Sequence, residues 1–515
     1  MKKNKLIFLM MLSAFLFAAQ NCGDDEKALT EDDVNEEIVT SCHGCHSEDS
    51  EIGMKILAAQ AGYDNSGHKN GPRGWIELTD VNGNVVLETL FHGSNAQYSN
   101  GTPCSECHTH NGFIDRFTEE GAGNYGAPAP IGCFTCHQPH KNGNFNLRNT
   151  EAVTLKIDKT GATLFDRGKG NLCVNCHQSR TASSSVNSTF PGTPSSHWGP
   201  HHGPQGDFLM GANGYEFTGE TYSSNDVHYD AADNSPADAC VTCHRYTNDK
   251  RYGSNLETGN HGMYLTANVH GNMTDRVDLC LDNCHSAIKD TSGTSFAKLD
   301  KAAADWDGDG TAEKYLEEVQ GLADLLYGYF ATASNFAVTG GTCTTAPVEG
   351  PAYIAGTNDG ISTQWRLTWD FGSLSTADDT AKINNASGIT STATTIDYDG
   401  LKTGAAAFAA NDIIWVGGEQ MLVTAATTTV LTVTRAQNGT TAADYDDDAT
   451  IYRIGTGGVL TADHCTLTKA QGGAWFNFKY YTEDHSGGVH FPKYAAQLLY
   501  TSLKAVGVTV GATAP

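Results

Sequence analysis

A repeated cysteine motif occupies the first 285 residues of this chain. Five segments read C-x-x-C-H and one reads C-x-x-x-C-H. In chain order, the first to the sixth motif are Cys42, Cys45 and His46; Cys104, Cys107 and His108; Cys133, Cys136 and His137; Cys173, Cys176 and His177; Cys240, Cys243 and His244; and Cys280, Cys284 and His285. C-x-x-C-H is the attachment signature of c-type haem. Two thiols at this spacing bond the vinyl groups of one porphyrin, and the adjacent histidine becomes the proximal ligand of the iron.

Paired cysteines also occur in zinc sites and in disulfides. Neither chemistry requires a histidine directly after the second cysteine, so six such histidines in one chain favour haem attachment. The sixth motif has one more residue between its thiols, and we expect it to attach haem as well. The sequence therefore predicts six covalent c haems, each with the histidine of its motif as the proximal iron ligand.

A closed, low-spin electron carrier also needs a second axial ligand on each iron. The chain has 20 histidines, so 14 lie outside the proximal positions. The candidates for distal ligands are His92, His140, His202 or its neighbour His201, His228, His261 and His490. The reserve candidates are His68, His110, His197 and His270. The alternative for each is a surface histidine, or one that bonds a haem propionate.

The composition favours an acidic, loop-rich protein. Only 39% of the residues are hydrophobic and the formal charge is −27. Attached porphyrins bury apolar surface that side chains otherwise provide, so we expect irregular connections around the haems. The negative charge disfavours nucleic acids and anionic membranes as partners. It is compatible with basic redox partner proteins and with extracellular metal acceptors.

The N-terminus has the pattern of an export signal. Residues 1–21 contain three lysines and then the apolar run Leu6–Ala19, which is short for a transmembrane helix. Cys22 stands where a bacterial lipoprotein carries its lipid anchor, although the residues before it match that signal poorly. Residues 22–40 form an acidic tether. We expect secretion across the inner membrane, to the periplasm or to the outer membrane and cell surface, with Cys22 as a candidate lipid anchor.

Residues 41–300 are predicted to form the hexahaem domain, and an acidic loop lies in the following helical segment, 301–384. Three aspartates alternate with other residues before a glycine, like the front half of an EF-hand calcium loop. They are Asp305, Asp307 and Asp309. The twelfth position, glutamate in an EF-hand, is Leu316 here, so Glu317 or Glu318 has to close a calcium site. An acidic turn that starts a helix without calcium is the alternative.

Residues 385–454 differ from the rest of the chain. Short β-branched runs broken by Gly, Asn and Asp predict a small inserted all-β domain. Three of its segments resemble a β-domain common in phage tail and surface proteins: Ile414–Met421, Leu431–Arg435 and Asn438–Ala442. Cys343 and Cys465 flank the domain, and we expect a disulfide between them, with two unpaired thiols as the alternative. Residues 455–515 are predicted to return to the cytochrome domain.

The motifs, together with a late segment that contains Asp484, Ser486 and His490, resemble the bacterial multihaem c-type cytochromes. The resemblance extends to a branch similar to nitrite reductases, in which a late histidine ligates an earlier haem. The segments Cys173–Arg180 and Pro200–Gly206 resemble the lipoprotein and outer-surface cytochromes of metal-reducing bacteria. This resemblance implies a fold class of mainly α-helices and irregular loops around a haem chain, with the small all-β domain inserted near the C-terminus.

The motif pattern favours an electron carrier over an enzyme. The nitrite reductases attach their catalytic haem through C-x-x-C-K, and this chain has no such segment. We therefore expect electron transfer, in extracellular or anaerobic respiration. The alternatives are a multihaem reductase for nitrite or hydroxylamine, and an oligomeric subunit of a cytochrome filament.

Overall fold

The computed structural model describes a large part of the chain from residue 51 onwards. The described residues are 51–70, 78–79, 85–86, 104–118, 120–138, 145–157, 163–190, 198–201, 203–224, 228–229, 238–245, 260–269, 272–275, 280, 304–338, 341–343, 348–349, 366–367, 379–460 and 465–515. Within these residues, no helix has both the length and the apolar composition that spanning a membrane requires.

The protein is a mixed structure with scattered helices and a C-terminal antiparallel half-barrel. The helices are α1 Glu51–Asp64, α2 Gly67–Asn70, α3 Ser105–His108, α4 His110–Asp115, α5 Cys133–Cys136, α6 Gly170–Val174, α7 Val186–Thr189, α8 Gln205–Met210, α9 Cys240–His244, α10 Tyr315–Phe330, α11 Lys469–Asp484 and α12 Pro492–Ala505. Short 3-10 turns lie at Ser183–Ser185 and Ala333–Phe336.

Most strands outside the half-barrel are two-residue pieces that form isolated hairpins. The strands are β1 Leu78–Thr79, β2 Val85–Val86, β3 Val153–Thr154, β4 Leu164–Phe165, β5 Thr266–Val269, β6 Asn272–Asp275, β7 Ala337–Val338, β8 Gly341–Thr342, β9 Val348–Glu349, β10 Arg366–Leu367, β11 Asp379–Lys382, β12 Thr395–Asp397, β13 Ile413–Val416, β14 Glu419–Ala426, β15 Val430–Gln437, β16 Thr450–Thr456 and β17 Val459–Leu460.

The backbone divides into two compact units. The first contains Met1–Val153, Asp166–Cys176 and Pro236–Leu299, and the second contains Thr154–Phe165, His177–Ser235 and Asp300–Pro515.

In the first unit, one-turn helices mark the cysteine motifs. Helices α3, α5, α6 and α9 lie at the second, third, fourth and fifth motif, respectively. Residues three apart in a helix lie on the same face. Helices α5 and α9 contain both cysteines of their motifs and therefore present both thiols to the same side.

The second unit has a helical core built from α10, α11 and α12. Helix α11 is buried on all sides from Gln471 to Asp484. Two adjacent glycines permit this packing: a Cβ atom at Gly472 would lie 2.3 Å from the ring of Phe190, and one at Gly473 would lie 2.3 Å from the ring of Tyr215.

The half-barrel has the strand order β11-β16-β13-β14-β15-β12, and β17 pairs with β16. A single antiparallel bridge, Ile383 to Tyr398, joins its two edges. Alternate residues of a strand point to opposite faces. Ile414 and Val416 of β13 therefore enter the core of the half-barrel, whereas Ile413 enters the helical core of the second unit.

A buried ion pair fixes one end of the half-barrel. The Nε and Nη2 atoms of Arg435 donate to the two carboxylate oxygens of Glu419, each at 2.7 Å. Arg435 also donates to the backbone carbonyls of Thr390, Ala393 and Ala443. Burial alone would raise the pKa of Glu419, but hydrogen bonds from Arg435 and from backbone N–H groups outweigh it and lower that pKa.

The disulfide between Cys343 and Cys465 is confirmed. The two Cα atoms lie 5.9 Å apart, and both side chains are buried in the helical core of the second unit. The bridge joins residues 122 positions apart, and closing a loop of that length stabilises a fold by about 4 to 5 kcal/mol in the chain-entropy account. A disulfide is compatible with an extracytoplasmic protein.

Candidate functional site

The described residues include the second to the fifth motif and, from the sixth, Cys280. Ten predicted haem-site residues lie outside the described residues: Cys42, Cys45, His46, His92, His140, His197, His202, His270, Cys284 and His285. The candidate His228 and the neighbour of His202, His201, are both partly buried, and His201 has a left-handed backbone with φ of 78°. The remaining candidates, His261 and His490, each lie beside the histidine of one motif.

Cysteines of different motifs contact one another in the first unit. The Cys173 thiol hydrogen bonds with Cys240, and the Cys176 thiol hydrogen bonds with Cys107. These contacts, together with burial, raise the pKa of Cys173 and of Cys176 well above the usual value. Burial, with the nearby Cys173, also raises the pKa of Cys136 to about 12. The hydrogen bond with Cys173 lowers the pKa of Cys240. The fourth motif thus adjoins the second and the fifth.

This thiol arrangement does not have the geometry of a zinc site. A structural zinc ion needs four ligands around one centre. Among the described residues, the groups of three or more potential metal ligands within 4.8 Å of one another consist of carboxylates alone. The described thiols therefore do not converge on one shared ion.

The fourth and fifth motifs are held side by side by residues just before them. Lys169 binds Asp238 twice, through its backbone N–H at 3.1 Å and its ammonium group at 3.0 Å, and these bonds lower the pKa of Asp238. A Cβ atom at Gly170 would lie 3.1 Å from the backbone oxygen of Asp238 and 3.2 Å from Cβ of Ala239. Helices α6 and α9 can approach this closely because residue 170 has no side chain.

The histidines of the third and fifth motifs each have one ring nitrogen fixed by a carbonyl oxygen. Nδ1 of His137 lies 2.9 Å from the carbonyl oxygen of Phe145, and Nδ1 of His244 lies 2.9 Å from that of Met263. Because a carbonyl oxygen only accepts, Nδ1 carries a proton, and Nε2 is the ring atom that could bind a metal ion. Histidines that bind metal through Nε2 have this arrangement.

The third motif brings His137 next to the distal candidate His261. Their ring centroids are 6.1 Å apart and their planes are inclined at 45°. With metal–nitrogen bonds of about 2 Å, two imidazole rings on opposite sides of one metal ion have centroids about 6 Å apart. Nδ1 of His261 bonds to Oδ1 of Asn260 at 2.9 Å. Burial, with Arg245 and His137 nearby, lowers the pKa of His261 to about 4, so the ring is neutral near neutral pH.

In the fourth motif, His177 is linked through Gln205 to the end of α11, just before the loop that carries His490. Burial lowers the pKa of His177; the hydrogen bond with Gln205 opposes this, and the nearby His490 adds to it, although the His177 side chain is exposed. Nδ1 of His177 bonds to Oε1 of Gln205 at 3.0 Å. The amide group of Gln205 donates to the carbonyls of Glu483 and Asp484, which fixes its orientation.

Large aromatic side chains around the second and third motifs are unusually exposed. Phe117, Phe134 and Phe145 are 48%, 46% and 39% exposed. Phe134 lies within the third motif, and the Phe145 ring stands edge-on to His137 with centroids 6.4 Å apart. Clustered apolar surface of this kind marks a ligand-binding or interaction site, and a porphyrin bound at the motif would pack against it.

Two residues of the site were not predicted. Gln205 fixes His177, and Arg245 follows the fifth motif with an Nε atom that is buried and has no hydrogen-bond partner. Their position directly after histidine-containing segments is a weak signal in the sequence. The reserve candidate His110 bonds through Nδ1 to the hydroxyl of Thr135, at 2.9 Å, within the third motif.

The acidic loop places Asp305, Asp307 and Glu318 with carboxylate oxygens within 4.8 Å of one another. Of the two glutamates expected to close the loop, Glu318 does so, and Glu317 instead accepts from the backbone N–H of Lys314. Asp309 belongs to a neighbouring carboxylate group with Asp307. Burial and the surrounding carboxylates raise the pKa of Asp307. Both oxygens of Glu318 already accept backbone N–H bonds, so the loop is held by hydrogen bonds as well as being acidic.

Comparison of this chain with protein-family models, with curated proteins and with solved structures gave no match.

Proposed function

We propose that this protein is a multihaem c-type cytochrome that carries electrons outside the cytoplasm. The observation that carries the proposal is the pair His137 and His261. The ring centroids of His137, from a C-x-x-C-H segment, and of His261 lie 6.1 Å apart. Two imidazoles that bind one iron would have about this spacing. The Nδ1 atom of each ring bonds to an oxygen.

The residues of each motif would have separate tasks. The two cysteines anchor the porphyrin through thioether bonds, and the following histidine binds the iron through Nε2. When bound, haem supplies an iron that changes between the ferric and the ferrous state by one electron. The oxygen atoms on the Nδ1 atoms keep the rings in one tautomer and orientation, so little rearrangement of these side chains accompanies a change of charge.

Electron transfer between haems requires short distances, and the thiol contacts support these. Cys173 and Cys240 hydrogen bond with each other, as do Cys176 and Cys107. Porphyrins attached to contacting cysteines would lie close to each other. The haem of the fourth motif would thus adjoin the haems of the second and the fifth, which makes it a branching point rather than one step in a linear order.

The pairing of His137 with His261 favours electron transfer over catalysis, because an iron held by both imidazoles would have no free position for a substrate. We propose a basic redox protein or an extracellular ferric compound as the acceptor, given the acidic charge of the chain. The export pattern at residues 1–21 supports a periplasmic or cell-surface location, with Cys22 as a candidate lipid anchor.

We also propose that the loop of Asp305, Asp307 and Glu318 binds calcium. Carboxylate oxygens are the ligands that calcium prefers, and three of them converge here. The ion would have a structural role, since the loop leads directly into α10 of the helical core.

Stopped-flow spectroscopy tests the proposed function. Protein matured in a host that attaches c haems is reduced anaerobically and mixed with ferric citrate, with an oxidised basic cytochrome, or with nitrite. We expect rapid oxidation by the first two, with a rate towards the basic cytochrome that falls as salt rises, because charge steering is screened over about 10 Å at 0.1 M ionic strength. Steady ammonium production from nitrite, at a rate that matches electron input, would replace the carrier assignment with that of a reductase.

A further inference from the structure

The loop that carries His490 also holds a buried carboxylate against it. Asp484 is the last residue of α11, and its side chain is fully buried. Oδ1 of Asp484 lies 2.7 Å from Nδ1 of His490, and Oδ2 accepts a hydrogen bond from the hydroxyl of Ser486. The hydroxyl oxygen of Ser486 in turn accepts from the backbone N–H of His490 at 3.1 Å. Imidazole and carboxylate are therefore fixed as a pair.

The other described histidine pair has neutral partners. Nδ1 of His137 bonds to a backbone carbonyl, and Nδ1 of His261 bonds to the side-chain amide of Asn260. His177 also bonds to an amide, that of Gln205. A full negative charge at Nδ1 thus distinguishes His490 from these three histidines.

A carboxylate at Nδ1 changes what an imidazole does to iron. It draws the Nδ1 proton towards itself and raises the basicity of Nε2, so the ligand donates more electron density. The ferric state, which carries the greater positive charge, gains more from this donation than the ferrous state. Burial strengthens the effect, because water screens a charge less in a protein interior.

We infer that Asp484 is a positioning residue that lowers the reduction potential of the haem bound by His177 and His490 below that of the haem bound by His137 and His261. This inference rests on the proposed function, because it requires haem at both motifs. It assigns the lower potential of the two to the haem of the fourth motif, the branching point of the relay, so that haem gives up its electron more readily than the haem of the third motif.

Two reciprocal substitutions test the inference in the full-length haem-loaded protein. Asp484→Asn keeps the shape of the side chain and removes the charge, whereas Asn260→Asp transfers the carboxylate arrangement to His261. Spectroelectrochemical titration of each variant is compared with the unmodified protein. In Asp484→Asn, we expect the part of the absorbance change that belongs to one haem to occur at a more positive potential. In Asn260→Asp, the part that belongs to one haem should occur at a more negative potential.

Ser486→Ala is the matched control, because it disturbs the same loop and keeps the carboxylate. Its titration should not move to more positive potential. An Asp484→Asn protein with full haem content, low-spin spectra and an unchanged titration would overturn the inference. If the Asp484→Asn protein loses haem, the titration of Asn260→Asp becomes the test. An unchanged titration of Asn260→Asp then rejects the inference.

The experiments distinguish failure of this inference from failure of the proposed function. A protein that is not a cytochrome carries no covalent haem, and a reductase turns over nitrite. A wrong assignment of Asp484 leaves haem content and electron transfer intact and changes only the expected order of potentials.

Discussion

The imidazole rings of His137 and His261 lie with their centroids 6.1 Å apart, although 124 positions separate the two residues in the chain. Each ring has its Nδ1 bonded to an oxygen, at 2.9 Å in both cases. The third motif supplies one ring, and a turn beyond the fifth motif supplies the other. This pairing makes His261 the best supported of the distal candidates.

Replacing His261 by alanine should leave haem attachment intact and open one iron. The thioether bonds and His137 remain, so the pyridine haemochrome content stays the same, while electron paramagnetic resonance of the oxidised protein gains a high-spin signal from one haem. His485→Asn is the control, because His485 is exposed, was not a ligand candidate, and has a left-handed backbone that asparagine tolerates. An unchanged low-spin spectrum in His261→Ala would reject His261 as a ligand.

Gly170→Val should separate the fourth and fifth motifs. The new side chain would meet the backbone oxygen of Asp238 and the Cβ atom of Ala239, and overpacking of this kind costs about 1 to 3 kcal/mol. We expect a lower free energy of unfolding in urea and less haem per protein. Gly123→Val is the control, since a Cβ atom there meets nothing within 4 Å. Equal losses of unfolding free energy and of haem content in both variants would show that the close contact at Gly170 does not hold the two motifs together.

Glu419→Gln should destabilise the half-barrel by leaving the buried guanidinium group of Arg435 without its counter-charge. Removing one partner of a buried ion pair costs about 3 to 5 kcal/mol. The folded state lowers the pKa of Glu419, so the charged pair stabilises the protein fully above the ordinary glutamate pKa and loses this effect as pH falls through the lowered value.

Urea unfolding monitored at several pH values checks both statements about Glu419. The difference in unfolding free energy between the unmodified protein and Glu419→Gln should be largest near neutral pH and shrink on acidification. A difference that grows towards acidic pH would contradict the assigned sign.

Calcium should raise the unfolding temperature of the unmodified protein, and Asp305→Asn should reduce that rise, because the substitution removes one of three converging carboxylates. Glu317→Gln is a close control, since Glu317 lies next to Glu318 in sequence but bonds to Lys314 instead. Thermal unfolding with calcium and with a chelator gives the comparison. If calcium leaves the unfolding temperature of the unmodified protein unchanged, the loop is a hydrogen-bonded helix start alone.

Local chemistry was readable from the sequence to a large extent. The cysteine pattern located the motifs, and the structure has one-turn helices at the second to the fifth of them. Apart from the motif cysteines and Cys22, the sequence contains only Cys343 and Cys465 as cysteines. A disulfide between these two was therefore predicted. The β-branched runs predicted a small β-domain, and the sheet includes β11 and β17 beyond the predicted range 385–454.

Long-range relationships were not readable in the same way. Nothing in the pattern of β13 shows that Ile413 enters the helical core of the second unit while Ile414 enters that of the half-barrel. The burial of α11 depends on Phe190 and Tyr215 fitting against its glycine pair, which a periodicity argument does not reveal. The partners of His177 and His490 are set by where Gln205 and Asp484 arrive after folding.

The most direct test of this account is the number of covalent haems. A pyridine haemochrome assay, combined with the intact mass of protein matured in a host that attaches c haems, counts them without assuming a function. The account predicts six, one for each motif. A mass that corresponds to the polypeptide alone, with zinc or disulfides at the motif cysteines, would contradict it.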